Sequence, residues 1–169
     1  MKRKEVISIF VENQANVLTR VASLFGRRGF NIDSLTVSTT NDPKISRITV
    51  VFNGNEQSLA QIITQTRKLE VVKDIFTLEK DNSLFRELLL VKVACDKTNR
   101  SAIKEIVDIY RGRIISLSKS CMIIELTGAT EKLDGFLNML SCYEIIEVCR
   151  TGVTGISREA DITDVSSID

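Results

Sequence analysis

The chain has 169 residues, with 23 Lys+Arg against 22 Asp+Glu, a formal charge of +1, 43% hydrophobic residues and no histidine. This is a globular composition, too apolar to stay unfolded and lacking the run of about 18 apolar residues that a membrane span needs. The missing histidine excludes a Ser-His-Asp or Cys-His relay, a His-ligated zinc and the commonest general base near neutral pH.

In chain order, KEVISIFVEN (4–13) packs Val6, Ile7, Ile9, Phe10 and Val11 into a β-branched run, which predicts a strand buried on both faces or nearly so. From Val17 the period changes: Val17, Leu18, Val21, Leu24 and Phe25 follow helical spacing, with Asn16 placed to cap the helix and Gly26 and Gly29 to end it. FNIDSLTVSTT and ISRITVVFNG read as a hairpin joined by NDPK, which holds the only proline. EQSLAQIITQTRKL is again helical and EVVKDIFTLEK is a strand, giving the order βαββαβ.

The second half repeats this order through RELLLVKVAC, SAIKEIVDIY, RIISLSK, SCMIIELTG, EKLDGFLNML and YEIIEVCRTG. Leu59, Ile62, Ile63, Val71 and Val72 fall on Leu133, Phe136, Leu137, Ile145 and Ile146 at an offset of 74, and Gly54 falls on Gly128. The first helix aligns at about 82, because the second hairpin is shorter. Two copies are too few for a solenoid and predict two similar domains. The fold class is therefore α+β, two tandem ferredoxin-like units spanning 1–80 and 84–156, followed by an acidic tail, 157–169, expected to be mobile. Domains of about 80 residues bury only a little over 60% of their unfolded surface, and open sheet edges need covering, so oligomerisation is expected.

Cys95, Cys121, Cys142 and Cys149 lack CxxC spacing and stand in apolar runs, which predicts buried, reduced thiols in a reducing cytoplasm. The basic start runs into charge by Glu12 and has no signal-peptide core. Charge is nearly balanced in both halves, which gives no argument for nucleic acid.

The strand-to-helix turn Glu12-Asn13-Gln14-Ala15-Asn16-Val17 is the best candidate site, because unpaired N–H groups and the positive end of the helix dipole suit a carboxylate there. Asn13 adds a side-chain donor; the plainer reading is a turn at Asn13 and a cap at Asn16. Gly26 to Gly29 spells GRRG, yet a KH-type GxxG clamp lies between two helices, whereas this one precedes a strand. RITVVFNG offers only Phe52 where an RNA-binding sheet needs two or three stacking aromatics. Gly152-Val153-Thr154-Gly155 belongs to no GxGxxG or GxxxxGK[ST] pattern, and no carboxylate pair is spaced for acid and base roles.

In combination, LTRVASLF, RRGFNIDSLTV and SRITVV, with RELLLVKV further on, resemble the regulatory small subunits of acetolactate synthase over residues 4 to about 158. The resemblance implies an N-terminal ACT domain for effector binding and dimerisation, and no catalysis by this chain. It implies a separate catalytic large subunit carrying thiamine diphosphate, Mg and FAD, which the small subunit activates, with feedback inhibition by a branched-chain amino acid such as valine. It places the effector between two paired ACT units, against Asn13, Gln14, Ala15, Asn16 and Val17 of one and Asn31 and Ile32 of the other. The family pattern has glycine at the position of Asn16. Either the Asn16 side chain narrows the pocket, or it caps the helix and turns away. A sensor acting on another target and a ferredoxin-like RNA binder are the competing functions.

Overall fold

The computed structural model describes residues 3–158; most of the predicted acidic tail lies outside them. The described residues form two compact units, one of residues 85–152 and one of residues 3–84 together with 153–158.

The first unit runs β1 (Arg3–Glu12), α1 (Val17–Arg27), β2 (Ile32–Thr39), β3 (Ile45–Gly54), α2 (Glu56–Thr66) and β4 (Val72–Thr77). Its sheet has the order β2-β3-β1-β4, all antiparallel. The pleat sends Ile7, Ile9 and Val11 of β1 and Ile48, Val50 and Phe52 of β3 to one face, where they pack with Val21, Leu24, Phe25 and Ile62 of the helices. Ser8 and Phe10 on the opposite face are also buried, so β1 is covered on both sides, as its β-branched run predicts. In the β2–β3 turn the Asp42 carboxylate accepts from Lys44 N–H at 2.8 Å and the Asp42 carbonyl from Ile45 N–H at 3.0 Å, the local bonding that favours Asp in turns.

The second unit repeats the plan with β5 (Ser83–Ala94), α3 (Arg100–Ile109), β6 (Arg113–Leu117), β7 (Cys121–Gly128), α4 (Thr130–Met139) and β8 (Ile145–Arg150), in sheet order β6-β7-β5-β8. A short 3-10 turn, Leu140–Cys142, follows α4. Leu89, Val91, Met122, Ile124, Ile103 and Phe136 form its core. Buried Glu87 accepts from Thr130 Oγ1 and, at 2.9 Å, from Arg150 Nε, while Arg150 also reaches Asp134 at 2.7 Å.

Three features depart from the sequence reading. A ninth strand, β9 (Thr154–Ser157), follows Val153, whose N–H donates to Ser34 Oγ at 2.8 Å and whose carbonyl accepts from Thr36 Oγ1 at 3.1 Å. Cys142 and Cys149 are exposed rather than buried, the first in the 3-10 turn and the second on an edge strand, Cys121 is half-buried, and Cys95 alone is fully buried. Asn16 does not cap α1: it stands at the N-cap with φ 68° and ψ 0°, and its side chain makes no capping bond. A strand turning this tightly into a helix needs a left-handed residue there, which Asn tolerates better than most.

Candidate functional site

Asn13, Gln14, Ala15 and Asn16 are exposed at the end of β1, and Val17 is buried beneath them in the core. The turn is fastened from below. Asn13 N–H donates to Lys44 C=O at 2.7 Å and Asn13 Nδ2 to Pro43 C=O at 2.9 Å, tying the β1–α1 turn to the β2–β3 turn. Gln14 N–H donates to Glu12 C=O and Gln14 Nε2 to Glu12 Oε2, both at 2.9 Å, while Lys73 pairs with Glu12 Oε1 at 2.8 Å.

The start of α1 is left electrostatically open. No side chain caps it and no acidic residue occupies its first turn, whereas α2 is capped by Asn55 Oδ1 accepting from Ser58 N–H at 2.8 Å and carries Glu56. First-turn N–H groups and the positive helix end thus face solvent beside four exposed residues, an arrangement suited to an anionic group.

Asn31 and Ile32 lie elsewhere. Ile32 is opposite Phe52, which faces Glu5 on β1, while Thr39 is opposite Ser46 and Glu12 opposite Ile45. The register therefore sets residues 31–32 and the 13–17 turn at opposite ends of one sheet, about 25 Å apart along the strands. Exposed Asn31 donates from Nδ2 to Asp33 Oδ1 at 3.4 Å, and Asp33 Oδ2 accepts from Asn53 Nδ2 at 2.6 Å; Ile32 packs on the core beside a β-bulge. Within a single unit the two halves of the expected site do not meet. The hydroxyls of Ser34 and Thr36, which grip Val153, gave no signal in the sequence, since their partner is more than a hundred positions away.

Among the described residues no cluster of three or more Cys, Asp or Glu is placed to hold a metal ion, and no helix is long and apolar enough to cross a membrane.

Repeat, sheet order and the open helix end define a tandem α+β protein of the ACT type. The family model for the AHAS small subunit-like ACT domain matches residues 7–74, and that for the small subunit of acetolactate synthase matches residues 86–159. The chain is 43% identical to the acetolactate synthase small subunit of Mycolicibacterium smegmatis over 90% of this chain and 89% of that protein. It is 39% identical to the acetolactate synthase isozyme 3 small subunit of Escherichia coli, covering 92% and 96% respectively. The crystal structure of the Thermotoga maritima acetolactate synthase small subunit superposes with a TM-score of 0.86 at 36% identity, over 93% of this chain and 98% of that one. The chain belongs to the family of acetolactate synthase small subunits, and its role is that of a regulatory, non-catalytic subunit.

Proposed function

We propose that this chain stimulates a cytoplasmic acetolactate synthase catalytic subunit, on which thiamine diphosphate, Mg and FAD reside, and makes it responsive to a branched-chain amino acid, valine first. The effector site is shared between two copies of the first unit.

The observation that carries this reading is the separation of residues 13–17 from residues 31–32 along a sheet whose edge strand β2 is, among the described residues, paired on one side only. If two β2 edges pair antiparallel about a two-fold axis, the start of β2 in one copy comes beside its end in the other. The end of β2 leads into the turn that holds Asn13 through Pro43 and Lys44. Asn31 and Ile32 of one copy are thereby brought to the bare α1 N-terminus of its partner. The helix end takes the effector carboxylate, and half-buried Ile32 supplies an apolar wall.

Reconstitution tests it. Adding the purified chain to its cognate catalytic subunit is expected to raise acetolactate formation, and valine to reduce the stimulated rate. A catalytic rate unchanged by the chain would overturn the proposal; stimulation without any valine response would remove the effector half alone.

A further inference from the structure

Arg47, in the SRITVV run, lies outside the effector turn. It is opposite Phe10 on β1, and Phe10 alternates with Ile9 and Val11, which face the helices; Arg47 therefore projects from the helix-free face of the first sheet. There its guanidinium carbon lies 5.3 Å from the Phe10 ring centre and 6.0 Å from that of Phe76. Nε and Nη2 are buried with no hydrogen-bond partner, and so is Ser8 Oγ, whose residue faces Thr49 on β3 and Phe76 on β4. Arg47 forms no ion pair among the described residues. Asp74, one strand beyond Phe10, has its Oδ1 engaged by Ile75 N–H at 2.7 Å. Burial pulls the Arg47 guanidinium below its usual pKa.

A partly desolvated cation with unmet donors costs stability, and an apolar side chain of the same length would fit two phenyl rings better. The residue type is explained if something outside the described residues supplies the missing charge. We propose that Arg47 anchors a carboxylate-binding site on this sheet face, and that the carboxylate is an aspartate or glutamate side chain of the catalytic subunit. This rests on the reading of the chain as a subunit that acts on a catalytic partner. Charge complementarity selects an anionic carboxylate, since Ser8 and Thr49 beside Arg47 add only hydroxyls, and the proposed role as a subunit selects a protein side chain as its source. A partly buried arginine over two aromatic rings is also the composition of interface hot spots.

The test pairs two measurements on the full-length chain, its melting temperature alone and the concentration that half-stimulates the cognate catalytic subunit. Arg47→Met is expected to raise the melting temperature of the free chain and to raise the half-stimulating concentration at least about tenfold, the order expected from losing a hydrogen bond between charged groups. Arg47→Lys keeps the charge but loses the planar fork, and is expected to give an intermediate shift; it serves also where the Met variant does not fold. Wild-type half-stimulating concentrations for the Met variant, or for the Lys variant where Met does not fold, would overturn the proposal. So would acetate raising the melting temperature of wild type but not of Arg47→Met, which assigns the site to a free carboxylate. Sedimentation showing that Arg47→Met dissociates a wild-type dimer would assign it to a second copy, also against the proposal. Failure of the wild-type chain itself to stimulate would instead overturn the function proposed above.

Discussion

At the level of single residues, Asn16 carries the most consequence. Sequence reasoning saw a cap because Asn is among the preferred N-cap residues, yet Asn also leads the non-glycine residues in left-handed backbone, and spacing cannot separate these roles. The φ of 68° decides for the second and gives the family glycine a backbone reason independent of any pocket. Asn16→Gly is therefore expected to leave stability unchanged or raise it by up to about 1 kcal/mol, whereas Asn16→Ala costs about 1 kcal/mol or more. Urea unfolding of the three proteins checks the order, and an alanine variant as stable as wild type would contradict it. The Asn16 side chain, exposed and making no capping bond, still occupies volume that glycine leaves open, so tighter valine binding by Asn16→Gly in isothermal titration is expected if it borders the pocket. The sequence offers Asn13 as a donor to an effector, but its Nδ2 bonds Pro43 C=O across two turns. Asn13→Ala should accordingly lower stability by about 0.5–1.5 kcal/mol as well as weaken the valine response. A variant with altered inhibition but wild-type unfolding would return Asn13 to a purely ligand-facing role.

Among elements, the repeat was legible because both helix pairs carry their apolar faces at fixed offsets, and α2 and α4 begin 74 positions apart in the structure as well. The equivalent glycines Gly54 and Gly128 close the equivalent strands β3 and β7, but their surroundings differ. A Cβ at Gly54 would come within 2.8 Å of the Phe52 ring, which is fully buried between Phe25 and Phe30. At Gly128 the closest atom is the Cδ of Lys132, the far part of a flexible side chain. Gly54→Ala should cost about 1–3 kcal/mol as the ring is displaced, and Gly128→Ala under about 1 kcal/mol. Paired melting curves test this asymmetry, and equal losses would show that the ring yields as readily as the lysine. What the sequence hid at this scale has a physical cause. β9 is four residues long with little apolar pattern, and Val153 before it is placed by hydroxyls of β2 far away in the chain. The exposure of Cys149 follows from its register opposite Leu90, on the face of edge strand β8 turned away from the core residues Leu89 and Val91, whereas its apolar local sequence pointed inward.

At the scale of the whole molecule, the sequence names the residues of the candidate site but not their spacing, because only the sheet register shows that its two halves are separated. In the proposed arrangement, that separation makes association through β2 the step on which effector sensing depends. Val37 lies in the middle of this edge strand, 44% exposed, with Ile48 as its neighbour on β3 and no strand on its other side among the described residues. Lysine is the residue with which natural sheets commonly protect such an edge, since pairing would bury its charge. Val37→Lys should therefore leave the single chain folded, at a cost of at most about 1 kcal/mol for a side chain already half in water. It should also abolish pairing. In sedimentation at micromolar concentration the variant is expected near the chain mass of 18.9 kDa, where the wild type runs at twice that. Valine sensitivity should disappear with the dimer, because each copy then holds half a site. A Val37→Lys protein that remains dimeric and fully inhibited by valine would show that the two units meet through another surface, and Asn31 and Ile32 would then leave the effector site.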